Sequence, residues 1–263
     1  MGELVEEIGR KGPADWEISS VWWYGREDST YTIYDYGKNL INQFDLVSGR
    51  LETSYPFVGK SNISNISLTE YISTRINEKG EFEFAVIDIE KNEIARSYPV
   101  IELLKEVGIS DLKDLDWLLY GDFAKSEKDE GVFVYYCLNS PVFFKLDLNK
   151  DEVVLYKDFR FQFMPEVYRS GSNVVLTPMQ NWFVSGGIIG DEIFLLTVKN
   201  NDFYVEITSK WFLDIYDLAS GDYKESIPIE LTENYRYPFE IRNGENKLVI
   251  GFDFEKIIVY EVQ

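Results

Sequence analysis

The amino-acid sequence predicts an all-β fold, specifically a β-propeller of four-stranded blades. One observation is a strand–turn–strand segment that recurs along the chain at blade-sized intervals. Another is the aromatic content, 16% of 263 residues, because such side chains suit the pleated, half-buried surface of a sheet. The sequence has no Ser/Gly/Pro-rich linker. We therefore predict a single propeller domain over residues 1–263.

The repeat defines the blades. Residues 44–56 (FDLVSGRLETSYP), 87–99 (IDIEKNEIARSYP) and 216–228 (YDLASGDYKESIP) share an Asp followed by Ser nine residues later and Pro eleven residues later. Residues 146–156 (LDLNKDEVVLY) keep only the first half. Each copy predicts a strand, a tight turn whose amides donate to the Asp, and an outer strand. The Pro suits the end of an edge strand, where no ladder donor is needed.

The spacing of the repeat indicates where the chain departs from it. The markers Asp45, Asp88, Asp147, Asp217 and Glu261 are separated by 43, 59, 70 and 44 residues. Intervals in the mid-forties match a four-stranded propeller blade. The two long intervals therefore contain insertions.

Each insertion has its own pattern. Residues 100–107 are apolar at helical spacing, and Gly108 is placed as a C-cap, which predicts a helix. Residues 160–180 are irregular and punctuated by glycine. Either insertion could instead contain a degenerate strand. The sequence thus gives five blades, with six possible.

Predicted strands lie upstream of each marker, where a blade needs its inner strands. In the last blade the chain ends before a fourth strand. Residues 3–9 supply that strand in our prediction and close the ring, which pairs an otherwise exposed edge. The other predicted strands are residues 18–24, 30–34, 118–120, 132–136, 182–184, 192–198, 237–241, 247–252 and 256–260.

Residues 8–17 (IGRKGPADWE) resemble the G-x-x-G-x-G-P-G-E-F opening of the bacterial TolB-like family of six-bladed propellers. Residues 31–36, 40–45 and 213–218 are similar to the blade pattern of that family, which NHL propellers share. The chain has Ala-Asp-Trp at 14–16, where the family has Gly-Glu-Phe. Members of the family are usually exported or lipid-anchored. The resemblance therefore implies a scaffold and a location, and no reaction.

Composition excludes several classes of site. With no histidine and one cysteine, Cys137, the chain cannot supply a Ser-His-Asp triad, an HExxH zinc site, an intramolecular disulfide or a thiolate zinc cage. A net charge of -20 would repel a nucleic-acid backbone. No apolar stretch is long enough for a membrane span. We predict no cofactor, no metal site, no nucleic-acid partner, no transmembrane segment in this chain and a monomer.

Aromatic and basic residues on or near predicted inner strands are the candidate ligand-binding residues. In a propeller such strands border an axial channel, where rings stack on sugars or apolar ligands and an arginine anchors an acid. Packing between blades is the alternative for each tryptophan. The candidates are Trp16, Trp22, Arg26, Trp182 and Arg242.

Carboxylates are the catalytic groups left to this chain, and they are sufficient for glycoside hydrolysis. Asp15, Glu17, Asp122 and Glu240 lie on or beside predicted inner strands. Nothing in their spacing fixes a pair. A glycosidase-like enzyme with paired carboxylates in the axial pocket is therefore the alternative interpretation, by analogy of fold.

The functional prediction is a non-enzymatic binding or scaffolding propeller of the bacterial cell envelope. It would present loops at one face to an unknown protein, small-molecule or glycan ligand. The expected location is exported, periplasmic or cell-surface, with a signal or lipid anchor outside this sequence. A cytoplasmic protein is the alternative.

Overall fold

The computed structural model describes residues 18–59, 61–109, 114–162, 164–171, 173–177, 182–199, 210–229, 238–244, 247–252 and 256–261. Backbone contacts divide the chain into two compact units, Met1–Pro99 (unit 1) and Val100–Gln263 (unit 2). Apart from two short helices, the elements of the described residues are β-strands. The predicted all-β class is confirmed.

Unit 1 contains two four-stranded antiparallel sheets whose strands pair in sequence order. Six of the seven residues of the third strand in the second sheet are buried, whereas most of the fourth strand is exposed. The core of unit 1 includes Tyr34, Ile41, Phe57 and Tyr71. The strands are β1 (Val21–Glu27), β2 (Thr30–Asp35), β3 (Leu40–Asp45), β4 (Leu51–Pro56), β5 (Ser61–Asn65), β6 (Glu70–Ile76), β7 (Phe82–Asp88) and β8 (Glu93–Pro99).

Unit 2 contains two further four-stranded sheets, β9–β12 and β15–β18, a two-stranded hairpin and a three-stranded sheet. Two short helices, α1 (Ile101–Glu106) and α2 (Leu115–Leu118), precede its first sheet. The strands are β9 (Gly121–Lys125), β10 (Val132–Cys137), β11 (Val142–Asp147), β12 (Glu152–Lys157), β13 (Glu166–Ser170), β14 (Asn173–Thr177), β15 (Ser185–Ile189), β16 (Glu192–Lys199), β17 (Lys210–Asp217), β18 (Tyr223–Ile229), β19 (Pro238–Gly244), β20 (Lys247–Phe252) and β21 (Lys256–Glu261).

The hairpin β13–β14 is an insertion and does not form a blade. Strand β15 contacts β9 on one side and β19 on the other, so the first strands of three successive sheets are neighbours. The hairpin therefore adds no sheet to this succession. The described residues contain five sheets of three or four strands, which agrees with the five blades predicted.

The marker aspartates form hydrogen-bonded turns, as the repeat predicts. Each of Asp45, Asp88, Asp147 and Asp217 ends a strand, and its carboxylate accepts a hydrogen bond from the backbone N–H three residues downstream. Such turns reverse the chain without unpaired amides. The donors are Ser48, Lys91, Lys150 and Ser220, at 2.6, 3.0, 3.2 and 2.9 Å.

The outer strands of the blades are protected against pairing with other chains. Strands β4 and β8 end in Pro56 and Pro99, and β18 contains Pro228 next to its last residue. Each of these three strands also has a register shift in its pairing with the preceding strand. Strand β12 has no proline, and α1 packs against it. Proline, bulges and a covering helix are known ways to protect an edge.

Several predicted elements shift in the structure. The helix predicted at 100–107 is confirmed as α1. Residues 118–120 do not form a strand, since Leu118 ends α2 and β9 begins at Gly121. Residues 182–184 precede β15 instead of forming it. Both errors have the same cause, because a short apolar run fits a buried helix or loop as well as a strand. The predicted closing strand, residues 3–9, lies outside the described residues.

Replacing Asp45, Asp88 and Asp217 together by Asn should make the free energy of unfolding fall less steeply as the pH is lowered. Hydrogen bonds from the Ser48, Lys91 and Ser220 segments lower the pKa of these carboxyl groups. As the pH falls, the unfolded chain therefore takes up protons before the folded chain does. The stability that the carboxylates contribute is present above the pKa of the unfolded chain and is lost as the pH falls through the lower folded pKa. Urea unfolding between pH 7 and pH 2 measures this slope.

The matched control substitutes Gln for three exposed acids that end no inner strand and accept none of the described turn hydrogen bonds, Glu52, Glu78 and Glu225. Both triple variants change the net charge by the same amount. Only the aspartate variant should show a shallower fall of the free energy of unfolding at low pH than the wild type. Equal slopes for the two variants would contradict the assignment of these aspartates to the turns.

Candidate functional site

In the structure the first insertion extends beyond α1 to include α2, and the second contains the hairpin β13–β14. Both insertions reach the same end of the sheet β9–β12. In an antiparallel meander, the segment entering the first strand, the turn between the second and third, and the segment leaving the fourth share one end of the sheet. Helix α2 leads into β9, and the hairpin β13–β14 follows β12. We call the surface formed by α2, the turn at 138–141 and the hairpin the insertion face.

Hydrogen bonds join the parts of the insertion face. The Leu138 N–H donates to the Tyr120 carbonyl at 2.8 Å, and the Asn139 side chain donates to the Trp117 carbonyl at 2.9 Å. On the other side, the Trp182 N–H donates to the Leu138 carbonyl at 2.8 Å. The turn at 138–141 is therefore hydrogen-bonded both to the residues at the end of α2 and to the segment that follows the hairpin.

The hairpin also contacts α2 directly. The Arg169 guanidinium donates from Nε to an Asp114 carboxylate oxygen at 2.8 Å. The charges of Asp114 and Asp116 both raise the pKa of Arg169, with the Asp114 hydrogen bond as the largest cause. Two insertions that are 55 residues apart in sequence thus meet in space.

A buried ionic cluster fixes the segment that leads into the hairpin. Arg160 donates from Nε to Asp158 at 2.8 Å, and its Nη2 atom lies 3.0 Å from an Asp214 carboxylate oxygen in β17. Asp214 also accepts hydrogen bonds from the hydroxyls of Thr197, at 2.8 Å, and Ser226. The side chains of Asp158 and Asp214 are 0% exposed. Because buried carboxylates need a partner, Arg160 ties the segment after β12 to the sheet β15–β18.

Aromatic rings surround this cluster. Phe159 stacks on Tyr223 with ring centroids 3.9 Å apart, and the Arg160 guanidinium lies 4.9 Å from the Phe159 ring. Burial, and then the charges of Asp158 and Asp214, raise the pKa of the Tyr216 hydroxyl, so this phenol stays neutral. Because both carboxylates are buried, their ion pairs with Arg160 are stronger than they would be in water.

The segment that follows the hairpin is anchored in the apolar core. Trp182 and Phe183 belong to a hydrophobic core cluster of unit 2, which also contains Phe143 and Tyr216. Phe183 is fully buried and meets the Phe143 ring edge-on at 5.9 Å. Both ends of the hairpin are therefore fixed, one by charge and the other by packing.

Large side chains remain exposed on this anchored frame. Trp117 on α2 is 44% exposed, and Tyr168 and Val175 on the hairpin are 52% and 42% exposed. Tyr168 pairs with Val175 across the hairpin, so both lie on one face of it. Exposed acids flank them, namely Asp116 beside Trp117, and Glu166, which accepts a hydrogen bond from the Tyr168 hydroxyl.

The predicted ligand-binding residues occupy both units. Trp16 lies outside the described residues. Trp22 and Arg26 belong to β1 in unit 1, where Trp22 falls at a register shift between Val21 and Trp23, and Arg242 belongs to β19 in unit 2. The Trp182 side chain is only 8% exposed and packs in the core. A ligand-binding role for these five positions stays a prediction.

The glycosidase alternative has no support among the described residues. Asp15 and Glu17 lie outside them, and Asp122 is exposed on β9. A glycosidase needs two carboxylates facing an open pocket. Asp158 and Asp214 do share one guanidinium, but both are fully buried and already bonded, Asp158 to Arg160 and Asp214 to Arg160 and two hydroxyl donors.

Sequence reasoning missed the ionic cluster, although one signal was present. Asp214 interrupts the apolar run of β17, and a charge in the middle of a buried strand requires a partner. The partner, Arg160, lay in the segment predicted to be irregular. The exposed residues Trp117 and Tyr168 had no signal beyond their position inside the two insertions.

Comparison with known proteins supports the fold class. A scan of protein-family models and a search of curated proteins give no match to this chain. Among solved structures, the chain is similar to the WD40 β-propeller domain of Doa1 (TM-score 0.50, 9% identity, 91% of this chain and 62% of that one). It is also similar to Saccharomyces cerevisiae Sqt1 (TM-score 0.50, 12% identity, 98% of this chain and 63% of that one).

A computationally designed protein, Ika8, is a further structural neighbour, with a TM-score of 0.51 and 9% identity over 97% of this chain and 74% of that one. The chain thus spans less than two thirds of the Doa1 and Sqt1 chains. At these identities the likeness establishes the fold alone. The chain has a β-propeller fold of four-stranded antiparallel blades, and the solved structures to which it is similar include a WD40 propeller.

Proposed function

We propose that this chain is a non-enzymatic binding propeller that holds a protein partner on the insertion face. One observation carries the proposal: the two departures from the blade repeat meet at one end of the sheet β9–β12 and expose Trp117, Tyr168 and Val175 there. Exposed aromatic side chains on a fixed frame supply binding energy at a low entropic cost. The buried cluster around Arg160 and the packing of Phe183 provide that frame.

The test compares retention of a partner by surface variants of the full chain. Substituting Trp117, Tyr168 and Val175 with Ser removes the exposed apolar atoms, and truncation of interface anchors typically costs ~2 kcal/mol or more each. We expect a protein cross-linked to the wild-type chain in cells of the source organism to be lost from this variant.

The control carries the same substitutions on exposed residues of unit 1, Val47, Val58 and Ile94. It should retain the partner at the wild-type level. Equal retention by both variants, or loss from the control alone, would overturn the assignment of binding to the insertion face. Circular dichroism establishes that each variant is folded.

We also propose that the protein acts at the bacterial cell envelope, as a periplasmic or cell-surface propeller of the TolB-like type. The similarity of residues 8–17 to the opening of that family supports this proposal. In the described part of the chain, no helix is long and apolar enough to span a membrane. Fractionation of source cells that express the full gene product tests the location, and recovery in the cytoplasmic fraction alone would contradict it.

A further inference from the structure

The hairpin β13–β14 differs from the outer strands of the blades in how its edges are protected. Strands β4, β8 and β18 carry a proline and a register shift, and α1 packs against β12. The hairpin has neither proline nor lysine, and its five residue pairs run without a register shift. Within the described residues it pairs with no third strand. Such regular, unprotected edges are where another strand adds.

The chemistry around the hairpin favours one kind of strand. Its outward face is apolar at Tyr168 and Val175, and exposed carboxylates lie beside it at Glu166 and beside Trp117 at Asp116. The cation of the hairpin, Arg169, is already paired with Asp114. The chain as a whole carries a net charge of -20. An incoming cationic segment would therefore be attracted, and an anionic one repelled.

We infer that the partner presents an extended segment in which apolar residues alternate with lysine or arginine, and that this segment adds as a strand to the edge of the hairpin. Backbone hydrogen bonds would supply affinity, and alternate side chains would supply specificity. Apolar residues of the segment would lie against Tyr168 and Val175. Its cations would lie on the opposite face of the hairpin, where Arg169 meets Asp114 and Asp116 is exposed nearby. The inference rests on the proposed function, because it names the chemistry of the partner held on the insertion face.

The experiment uses capped ten-residue peptides and the full-length chain, with binding measured by fluorescence anisotropy. We expect a peptide of alternating valine and lysine to bind, and the valine–glutamate peptide not to bind. The double variant Tyr168→Ser/Val175→Ser, and separately the charge reversal Asp116→Lys, should each weaken binding by at least about tenfold. The control Val47→Ser/Ile94→Ser should bind as the wild type does.

N-methylated peptides test strand addition itself. Successive N–H groups of a strand point to opposite edges, so methylation of one alternating set blocks one edge only. We expect methylation of one set to abolish binding and methylation of the other set to preserve it. Equal binding of the lysine and glutamate peptides, unchanged binding by the face variants, or indifference to both methylated sets would each overturn the inference.

Failure here is distinguishable from failure of the proposed function. If the cross-linked partner depends on Trp117, Tyr168 and Val175 while no alternating cationic peptide binds, the insertion face is a binding surface and the extended cationic segment is wrong. If the cross-linked partner is indifferent to these residues, the proposed function is wrong.

Discussion

Substituting Arg160 with methionine should lower the free energy of unfolding by about 3–5 kcal/mol, because removal of one partner from a buried ion pair leaves the other charge uncompensated. Here two carboxylates would be left, those of Asp158 and Asp214, both of which are fully buried. Methionine keeps most of the length of the side chain, so the decrease in the free energy of unfolding reflects the lost charge more than the lost volume. Urea unfolding at neutral pH gives the measurement.

Arg169 provides the matched control, because it makes the same kind of ion pair with Asp114 at the surface and is 57% exposed. Its substitution with methionine should cost only about 0–1 kcal/mol. Adding Asp158→Asn and Asp214→Asn to the Arg160 variant removes the two uncompensated charges and should restore part of the stability. Equal losses for the two arginine variants would show that the cluster does not stabilise unit 2.

Substituting Phe183 with alanine should cost about 3–5 kcal/mol, the usual range when a buried phenylalanine is truncated and leaves a cavity. Phe183 is fully buried against Phe143. The same substitution at Phe159, which is 44% exposed and stacked on Tyr223, should cost only about 0.5–1.5 kcal/mol. Thermal and urea unfolding of the two variants measure the difference, and a Phe159 loss as large as the Phe183 loss would contradict the packing described.

Local features of the fold could be predicted from the sequence. The marker aspartates act within their own turns, and the strands they end are rich in apolar residues and mostly buried, so both leave a signal in a few neighbouring residues. The helix at 100–107 was found for the same reason. Strands were wrongly predicted at 118–120 and 182–184, because short apolar runs with buried residues such as Leu119 and Phe183 occur in helices and loops as well as in strands.

Long-range contacts could not be predicted in this way. Arg169 meets Asp114 across 55 residues, and Arg160 meets Asp214 across a hairpin and two strands. Nothing near either arginine in the sequence specifies its partner. The insertion face exists only because the fold brings two insertions to one end of a sheet, so its residues carried no motif. Trp182, by contrast, was noted in the sequence, and its side chain packs in the core.

Site-specific photo-crosslinking tests the central claim, that the insertion face holds the partner, most directly. Benzoylphenylalanine replaces Tyr168 in one full-length protein and Tyr36 of unit 1 in the other, two tyrosines of nearly equal exposure at 52% and 54%. After irradiation of source cells, we expect position 168 to give a discrete protein adduct and position 36 to give none. An adduct at position 36 with none at position 168, or none at either, would contradict the claim.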